Sequence, residues 1–225
     1  MRTKMATLCA AAMLMVGLRP APASASPITY NMNINGCSGS GGCGTMPAAQ
    51  VTLNDFGLTG DVQVTVSPFN GNKFVNTGLD STFDFNLIGN PVITVTGLTA
   101  GFSLVSTTAG SHMMSAFKDF EYAIQWNTSG GGNGTAGPLT FHVLALGVTS
   151  ASFAEASSGT GGEHVFFAAD IFSGQTGNTG GVGGSDPCTM NCPSTNQVTP
   201  EPLSAVLLGS GLVLAARKIR RKRAS

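Results

Sequence analysis

The sequence predicts an all-β fold, an antiparallel β-sandwich or jelly-roll-like body, for the central part of the chain. Apolar and polar residues alternate with period two in several short segments, which places one side of a strand in a core and the other in water. Clusters of Gly, Asn, Pro and Ser separate these segments at fairly regular spacing. The body shows no sustained helical periodicity, so one short helical turn, at residues 111–118, is the only helix we expect there.

The strands follow from the alternation, segment by segment. It is clearest at residues 61–67, where Val62, Val64 and Val66 alternate with polar residues. The same pattern recurs at 82–87, 120–126 and 139–143, and weaker patterns at 28–34, 50–53, 92–96, 102–106 and 164–172. The glycine-rich stretches between them are expected to be loops, and residues 174–187 a flexible spacer.

The N-terminus has the three parts of a secretory signal peptide. Arg2 and Lys4 give a positive start, residues 6–18 are apolar, and residues 23–25 (Ala-Ser-Ala) form a small-residue cleavage site. We expect signal peptidase to cut after Ala25. A retained transmembrane helix is disfavoured because the apolar run is short and ends at Arg19.

The C-terminus reads as a polar motif, a short hydrophobic helix and a basic stop. Pro200, Glu201 and Pro202 precede an apolar run at residues 203–216, which as a helix is roughly 21 Å long at ~1.5 Å per residue. That length is short of the ~30 Å hydrocarbon core of a bilayer. The run predicts a segment held briefly in the membrane, with an ordinary single-pass anchor as the alternative. The basic stop, which should remain cytoplasmic, comprises Arg217, Lys218, Arg220, Arg221, Lys222 and Arg223.

Together these tail features resemble the PEP-CTERM sorting signal of Gram-negative bacteria. The resemblance covers about the last 26 residues and differs from the usual pattern in that Leu203 stands between the second proline and Ser204. It implies that an exosortase recognises the Pro-Glu-Pro motif, removes the tail and passes the protein to the cell surface or extracellular matrix. The implied organisation is a signal peptide (1–25), a β-sandwich ectodomain (26–187), a polar linker (188–199) and a sorting signal (200–225).

The charge of the body differs from the neutral balance of the whole chain. Nine of the eleven basic residues lie in the two end segments, which leaves Lys73 and Lys118 against ten acidic residues, a formal charge of −8. Such a body argues against nucleic acid as a partner, because nucleic-acid binding needs a basic surface. It suits an exported protein.

Four cysteines remain once Cys9 leaves with the signal peptide. Cys37, Cys43, Cys188 and Cys192 predict two disulfides in an oxidising compartment, with three possible pairings. Pairing between the two ends would stabilise the domain by up to ~4–5 kcal/mol, more than local pairing would. A four-cysteine zinc site is the alternative, although the spacing is poor for a zinc ribbon.

Catalytic candidates are few. The histidines His112, His142 and His164 could form a metal site, but their separations of 30 and 22 residues carry no signal. No Gly-x-Ser-x-Gly elbow is present between a strand and a helix. We therefore expect no catalytic residues, no metal and no cofactor.

Acidic side chains supply the other candidates. Asp84 and Glu121 would be an acid–base pair if their strands were neighbours. Asp80, Asp84 and Asn86 offer oxygen ligands for calcium, although their spacing is not that of an EF-hand. Such residues are more commonly solvated strand charges.

The sequence thus predicts an exported, non-enzymatic surface or matrix protein associated with exopolysaccharide or biofilm. Its expected partners are signal peptidase, an exosortase, the inner membrane through the C-terminal helix before processing, and exopolysaccharide. The alternative is a secreted carbohydrate-binding module or polysaccharide hydrolase. In the binding-module version Tyr122 and Trp126 stack on sugar, although their shared strand face favours a place in the core.

Overall fold

The computed structural model describes residues 27–56 and 58–186, all within one compact unit, Ala25–Thr195. The predicted signal peptide, the linker at 188–199 and the sorting signal at 200–225 lie outside the described residues. Within the part that is described, no helix is long and apolar enough to cross a membrane.

The described residues form strands joined by turns, with a single 3₁₀ helix. In chain order the strands are β1 (Ile28–Met32), β2 (Ile34–Cys37), β3 (Ala49–Asn54), β4 (Asp61–Pro68), β5 (Lys73–Phe74), β6 (Phe83–Phe85), β7 (Thr94–Thr96), β8 (Phe102–Leu104), β9 (His112–Met114), β10 (Lys118–Phe120), β11 (Tyr122–Trp126), β12 (Leu139–Leu144), β13 (Phe167–Phe172) and β14 (Thr179–Gly184), and the 3₁₀ helix is Ser150–Phe153.

The strands form three antiparallel sheets. A five-stranded sheet has the order β1-β3-β4-β12-β7, and a seven-stranded sheet has the order β2-β14-β13-β6-β11-β8 with β5 paired to β13. The hairpin β9–β10 is a separate two-stranded sheet. The prediction of an all-β, antiparallel body is confirmed.

The inward side chains of the two large sheets meet in one hydrophobic cluster. Phe83 of β6 packs against Phe141 of β12 with ring centroids 6.2 Å apart, and Tyr30 of β1 packs against Phe167 of β13 at 5.0 Å. All four side chains are almost fully buried, and each such burial contributes about 1.5–3 kcal/mol. The period-two pattern identified Phe83 and Phe141 correctly, because these residues are on the side of their strands that faces this core.

A smaller cluster lies on the opposite side of the seven-stranded sheet, under the hairpin. Met114, Phe117 and Phe120 of the hairpin pack there against Val165 and Ala168. The helical turn expected at 111–118 is therefore wrong. The segment is the hairpin itself, closed by a bond from the Phe117 amide to the Met114 carbonyl (2.8 Å).

The flexible spacer expected at 174–187 is also wrong, because residues Thr179–Gly184 form β14 between β13 and β2. The strand was hidden because its outer positions are Gly181 and Gly183, where the hairpin packs directly on the backbone. A Cβ at Gly183 would lie 2.9 Å from the Phe117 ring, and one at Gly181 would lie 3.1 Å from the Met114 sulfur. Because Gly181 and Gly183 have no side chains, the hairpin can lie directly on β14.

The single strand expected at 28–34 is two strands in two sheets. β1 pairs with β3 in the five-stranded sheet, whereas β2 continues to Cys37 and pairs with β14 in the seven-stranded sheet. The chain changes sheet at Asn33, so this segment joins the two sheets covalently at one edge.

Candidate functional site

The predicted cysteine framework is resolved for one pair. Cys37 and Cys43 form a disulfide with a Cα–Cα distance of 5.2 Å, and the Asn35 carboxamide oxygen accepts hydrogen bonds from both of their amides (3.1 Å each). This local bond overturns pairing between the two ends and the four-cysteine zinc alternative. Cys188, Cys192 and the sorting motif Pro200, Glu201 and Pro202 lie outside the described residues, as does the basic stop from Arg217 to Arg223.

The three histidines occupy separate places. His142 on β12 forms an ion pair with Asp61 (Nδ1 to Oδ1, 2.8 Å), while the His164 ring bonds to the Ser157 carbonyl oxygen (2.7 Å), and His112 belongs to the hairpin. Among residues 27–56 and 58–186, no group of three or more His, Cys, Asp or Glu side chains is arranged to hold a metal ion. The histidines therefore do not form the three-histidine site considered from the sequence.

Tyr122 and Trp126 are packing residues. Tyr122 is fully buried, and its hydroxyl donates to the Pro91 carbonyl oxygen. Trp126 packs against Phe102 with centroids 4.9 Å apart, and its indole N–H donates to the Asn133 carbonyl oxygen (2.9 Å). The stacking platform that these two aromatics would provide is not formed.

The Glu121 carboxylate contacts a neighbour other than Asp84, the partner considered from the sequence. The strands of Asp84 and Glu121 are indeed neighbours, but the Glu121 carboxylate turns to accept a bond from the Leu87 amide (3.1 Å). Burial raises the pKa of Glu121, and the carboxylate of Glu155 adds to that rise. Both residues are half-buried.

Asp84 belongs to an acidic group on the outer face of the seven-stranded sheet, together with Asp80 and Asp170. Burial raises the pKa of Asp84 well above its usual range, and the charges of Asp80 and Asp170 raise it further, against a smaller opposing effect from the Ser81 hydroxyl. Burial and then Asp80 likewise raise the pKa of Asp170 to about 6, against hydrogen bonds from Thr77. We call Asp80, Asp84 and Asp170 the acidic group.

The calcium ligands considered from the sequence are only partly brought together. The Asn86 side-chain oxygen accepts a bond from the Glu121 amide (2.8 Å), so its role is to bridge β6 and β11. Asp170 takes its place beside Asp80 and Asp84. The sequence places Asp170 in an expected strand, but nothing in the alternation of that strand says which carboxylate on a neighbouring strand it will face.

The outer face of the five-stranded sheet carries polar side chains in register. Thr29 lies opposite Thr52, Thr52 opposite Thr65, and Thr65 opposite Thr140, so one row of threonines crosses four strands. All four are half-buried, and the hydroxyls of Thr65 and Thr140 are 3.5 Å apart. Neighbouring strands lie about 4.8 Å apart, which fixes the spacing of these hydroxyls.

A second polar row runs beside the first. Asn54 lies opposite Gln63, Gln63 opposite His142, and His142 opposite Thr96, while the Gln63 amide nitrogen and the His142 Nε2 are 3.3 Å apart. We call these two rows the threonine face. Gln63, Thr65, Thr140 and His142 were visible as the polar members of alternating strands. The rows themselves depend on strand order and register, which the sequence does not state.

Comparison with known proteins finds no match. No family model matches the chain, and no curated protein or solved structure is significantly similar to it. The chemistry of its own residues is therefore the basis for assigning a function.

Proposed function

We propose that this chain is an exported, non-enzymatic surface or extracellular-matrix protein whose threonine face binds neutral polysaccharide. The observation that carries the binding role is the row of four threonines in register across β1, β3, β4 and β12. The sequence at both ends supports export, through a signal peptide at 1–25 and an exosortase-type sorting signal at 200–225. The Cys37–Cys43 disulfide suits an oxidising compartment.

The architecture we propose for this body is a β-sandwich with a small third layer. The shared hydrophobic cluster between the two large sheets supports the sandwich, and the hairpin cluster supports the third layer. A jelly-roll-like connection of the strands stays a prediction.

The chemistry of the threonine face suits a chain of sugar hydroxyls. Threonine hydroxyls donate and accept, and carboxamides do both through separate atoms, so the face offers both roles at a regular spacing. On this face the Asp61 carboxylate is bonded to the His142 ring (2.8 Å), and the threonine, asparagine and glutamine side chains of the two rows carry no charge. Each hydrogen bond exchanged with water contributes only about 0.5–1.5 kcal/mol, so binding is expected to be weak for one sugar and to accumulate along a polymer.

The binding role is tested with the full-length protein and the exopolysaccharide of its host. In co-sedimentation, the double substitution Thr52→Val, Thr65→Val should weaken binding by about fivefold or more, since it removes two hydroxyls worth about 0.5–1.5 kcal/mol each. Thr160→Val, in an exposed turn away from the sheet, is the matched control. Unchanged binding by the double variant, or an equal loss in the control, would overturn the role of this face.

The sorting role is tested separately by the intact mass and cell fraction of the protein in strains with and without exosortase. We expect a mass ending near Pro200 in the surface or matrix fraction only when exosortase is present. Retention of residues 217–225 in the inner membrane of both strains would instead indicate a plain anchor.

A polysaccharide hydrolase is the second candidate, favoured by the Glu121–Glu155 pair. Burial raises the pKa of Glu121 and the charge of Glu155 adds to that rise. Glycoside hydrolysis uses two carboxyl groups, one of them with a raised pKa, as acid and base. Turnover of host polysaccharide by the purified protein, lost in both Glu121→Gln and Glu155→Gln, would favour this activity. Turnover that persists in both variants, or no turnover at all, would exclude this pair as a catalytic site.

A further inference from the structure

Asp84 and Asp170 are diagonal neighbours on the outer face of the seven-stranded sheet. Asp84 lies opposite Ala168 in the β6–β13 pair, and Asp170 is two residues further along β13, on the same side. Diagonal cross-strand neighbours have Cα atoms about 7–8 Å apart. Phe83 and Phe85, on either side of Asp84, point into the main core, so the two carboxylates share the space between the sheet and the hairpin.

Both side chains are fully buried and incompletely hydrogen-bonded. Asp84 and Asp170 each have 0% exposure. In the described part of the chain, neither oxygen of Asp84 is in hydrogen-bonding geometry with a donor; the nearby Ser81 hydroxyl only opposes the rise in its pKa. Oδ1 of Asp170 has no partner either. The other Asp170 oxygen accepts from the Thr77 hydroxyl (2.7 Å) and amide (3.3 Å). Three buried carboxylate oxygens, both of Asp84 and Oδ1 of Asp170, therefore lack a hydrogen-bond donor.

Asp80 adds a third negative charge at the rim of this space. Its Oδ1 accepts from the Ser115 hydroxyl (2.6 Å) and amide (2.9 Å), which ties it to the turn of the hairpin. Within residues 27–56 and 58–186 the ion pair that forms is Asp61–His142, on the other sheet, so no lysine or histidine there compensates the acidic group. The described side chains therefore supply no positive charge to balance the acidic group.

A bound proton is a poor substitute for a cation at this place. Burying an uncompensated carboxylate is strongly unfavourable, so a proton or a cation must neutralise it. One proton neutralises a single carboxylate, whereas Asp80, Asp84 and Asp170 bring three carboxyl groups close enough that, besides burial, the charge of Asp80 raises the pKa of both Asp84 and Asp170. A cation satisfies both oxygens of Asp84 together and the Asp170 Oδ1 as well.

We propose that Asp84 and Asp170 bind one Ca²⁺ ion beneath the β9–β10 hairpin, with Asp80 contributing charge from the rim. Calcium takes six to eight oxygen ligands in flexible geometry, from carboxylates, carbonyls, hydroxyls and water. Asp84 and Asp170 are the two carboxylate ligands in this proposal; the described residues contain no group of three His, Cys, Asp or Glu side chains arranged to hold a metal ion. Neutral oxygens and water complete the shell. Because Asp80 also holds Ser115, the ion fastens the hairpin to the sheet.

The test uses the full-length protein after a chelator has removed bound metal ions. Calcium binding is measured by isothermal titration and by thermal unfolding. We expect one Ca²⁺ per chain with a dissociation constant of about 10⁻⁴–10⁻³ M, the range of extracellular modules. At 10 mM Ca²⁺ the melting temperature should rise by roughly 3–10 °C, and 10 mM Mg²⁺ should give a much smaller rise.

Two substitutions and a matched control locate the ion. Asp84→Asn and Asp170→Asn should abolish the calcium-dependent rise, whereas Asp186→Asn, an exposed residue with the same change of charge, should retain it. Without calcium, Asp84→Asn should melt above the unsubstituted protein, because it removes a buried charge, and with calcium it should melt below it. This reversal of order is not expected from a purely structural role of Asp84.

The proposal fails if the unsubstituted protein binds no calcium in titration, a result that does not depend on any variant folding. It also fails if magnesium stabilises equally, or if Asp84→Asn keeps the calcium response. None of these outcomes bears on the threonine face, which lies on the other sheet.

Discussion

Gly36→Ala is the most direct test of how the hairpin is seated. Gly36 lies in β2 opposite Gly181 of β14, and its backbone is outside the left-handed region, so alanine introduces no backbone strain there. A Cβ at this position would lie 2.7 Å from the Gly181 carbonyl oxygen and closer still to the Cβ of Ala116 in the hairpin turn. Ordinary contacts between carbon atoms are about 3.5–4.0 Å, so either strand or hairpin must move by on the order of 1 Å.

Both ways of relieving this clash lead to a similar cost. Overpacking a rigid site typically costs about 1–3 kcal/mol, and the upper end applies here because one of the clashing atoms belongs to the backbone of a paired strand. If the hairpin lifts instead, it exposes part of Met114 and Phe117, whose full burial is worth about 1.5–3 kcal/mol each. We therefore expect Gly36→Ala to lower the free energy of unfolding by about 3 kcal/mol, or roughly 6–12 °C in melting temperature.

The assay is thermal and urea unfolding of the purified full-length protein with and without the substitution. Gly132→Ala is the control, because a Cβ there meets no atom within 4 Å and its backbone also lies outside the left-handed region. It should be neutral or stabilise slightly, by restricting the unfolded chain. A loss of less than about 1 kcal/mol for Gly36→Ala, or a loss equal to that of Gly132→Ala, would refute close packing of the hairpin on the glycine strands.

Three further predictions concern the core, the disulfide and the carboxylate pair. Phe141→Ala should destabilise by about 3–5 kcal/mol, because its ring lies between the two sheets against Phe83; a loss below about 1.5 kcal/mol in urea unfolding would contradict that position. Cys37→Ser, which opens the short loop to Cys43, should cost about 2 kcal/mol in the chain-entropy model, and adding a reductant should lower the stability of the unsubstituted protein by more than that of the variant. Glu121 has a raised pKa in the folded state, so its carboxyl binds protons more tightly when folded, and its contribution to stability falls as pH rises from its ordinary pKa through the raised one. Glu121→Gln should therefore flatten the pH dependence of the melting temperature across that window, and an unchanged slope would show that the group is not buried as described.

The main core was predictable because its signal is local. At Val62, Val64 and Val66 the alternation is visible in the sequence and all three side chains are buried, while their polar neighbours face out. The same reasoning failed for Thr179–Gly184, where the strand has glycine on its outer side and its burial comes from the hairpin above it. Alternation of apolar and polar residues predicts a strand only where the side chains of that strand pack against the neighbouring layer. It gives no signal where that layer packs on the strand's backbone.

The candidate sites were less predictable than the strands. The sequence identified Asp84 as a possible ligand or acid. It grouped Asp84 with Asn86 because they are close along the chain, and with Glu121 on the condition that their strands were neighbours. The structure instead joins Asp84 to Asp170, 86 positions away, through the pairing of β6 with β13. The threonine face has the same origin, since its rows combine residues from strands that are distant in sequence.

The glycines, the hairpin and the acidic group form one causal chain. Because Gly36, Gly181 and Gly183 lack side chains, the hairpin can lie directly on β2 and β14, and its cluster reaches Ala168 on β13, the residue opposite Asp84. A third layer at that point removes water from a face that would otherwise solvate its carboxylates. Asp84 and Asp170 are therefore buried charges because of glycines elsewhere in the sheet, and their neutralisation is coupled to whether the hairpin is seated. It follows that Gly36→Ala, which touches no acidic residue, should weaken calcium binding if Ca²⁺ lies beneath the hairpin, and should leave it unchanged if the ion lies elsewhere.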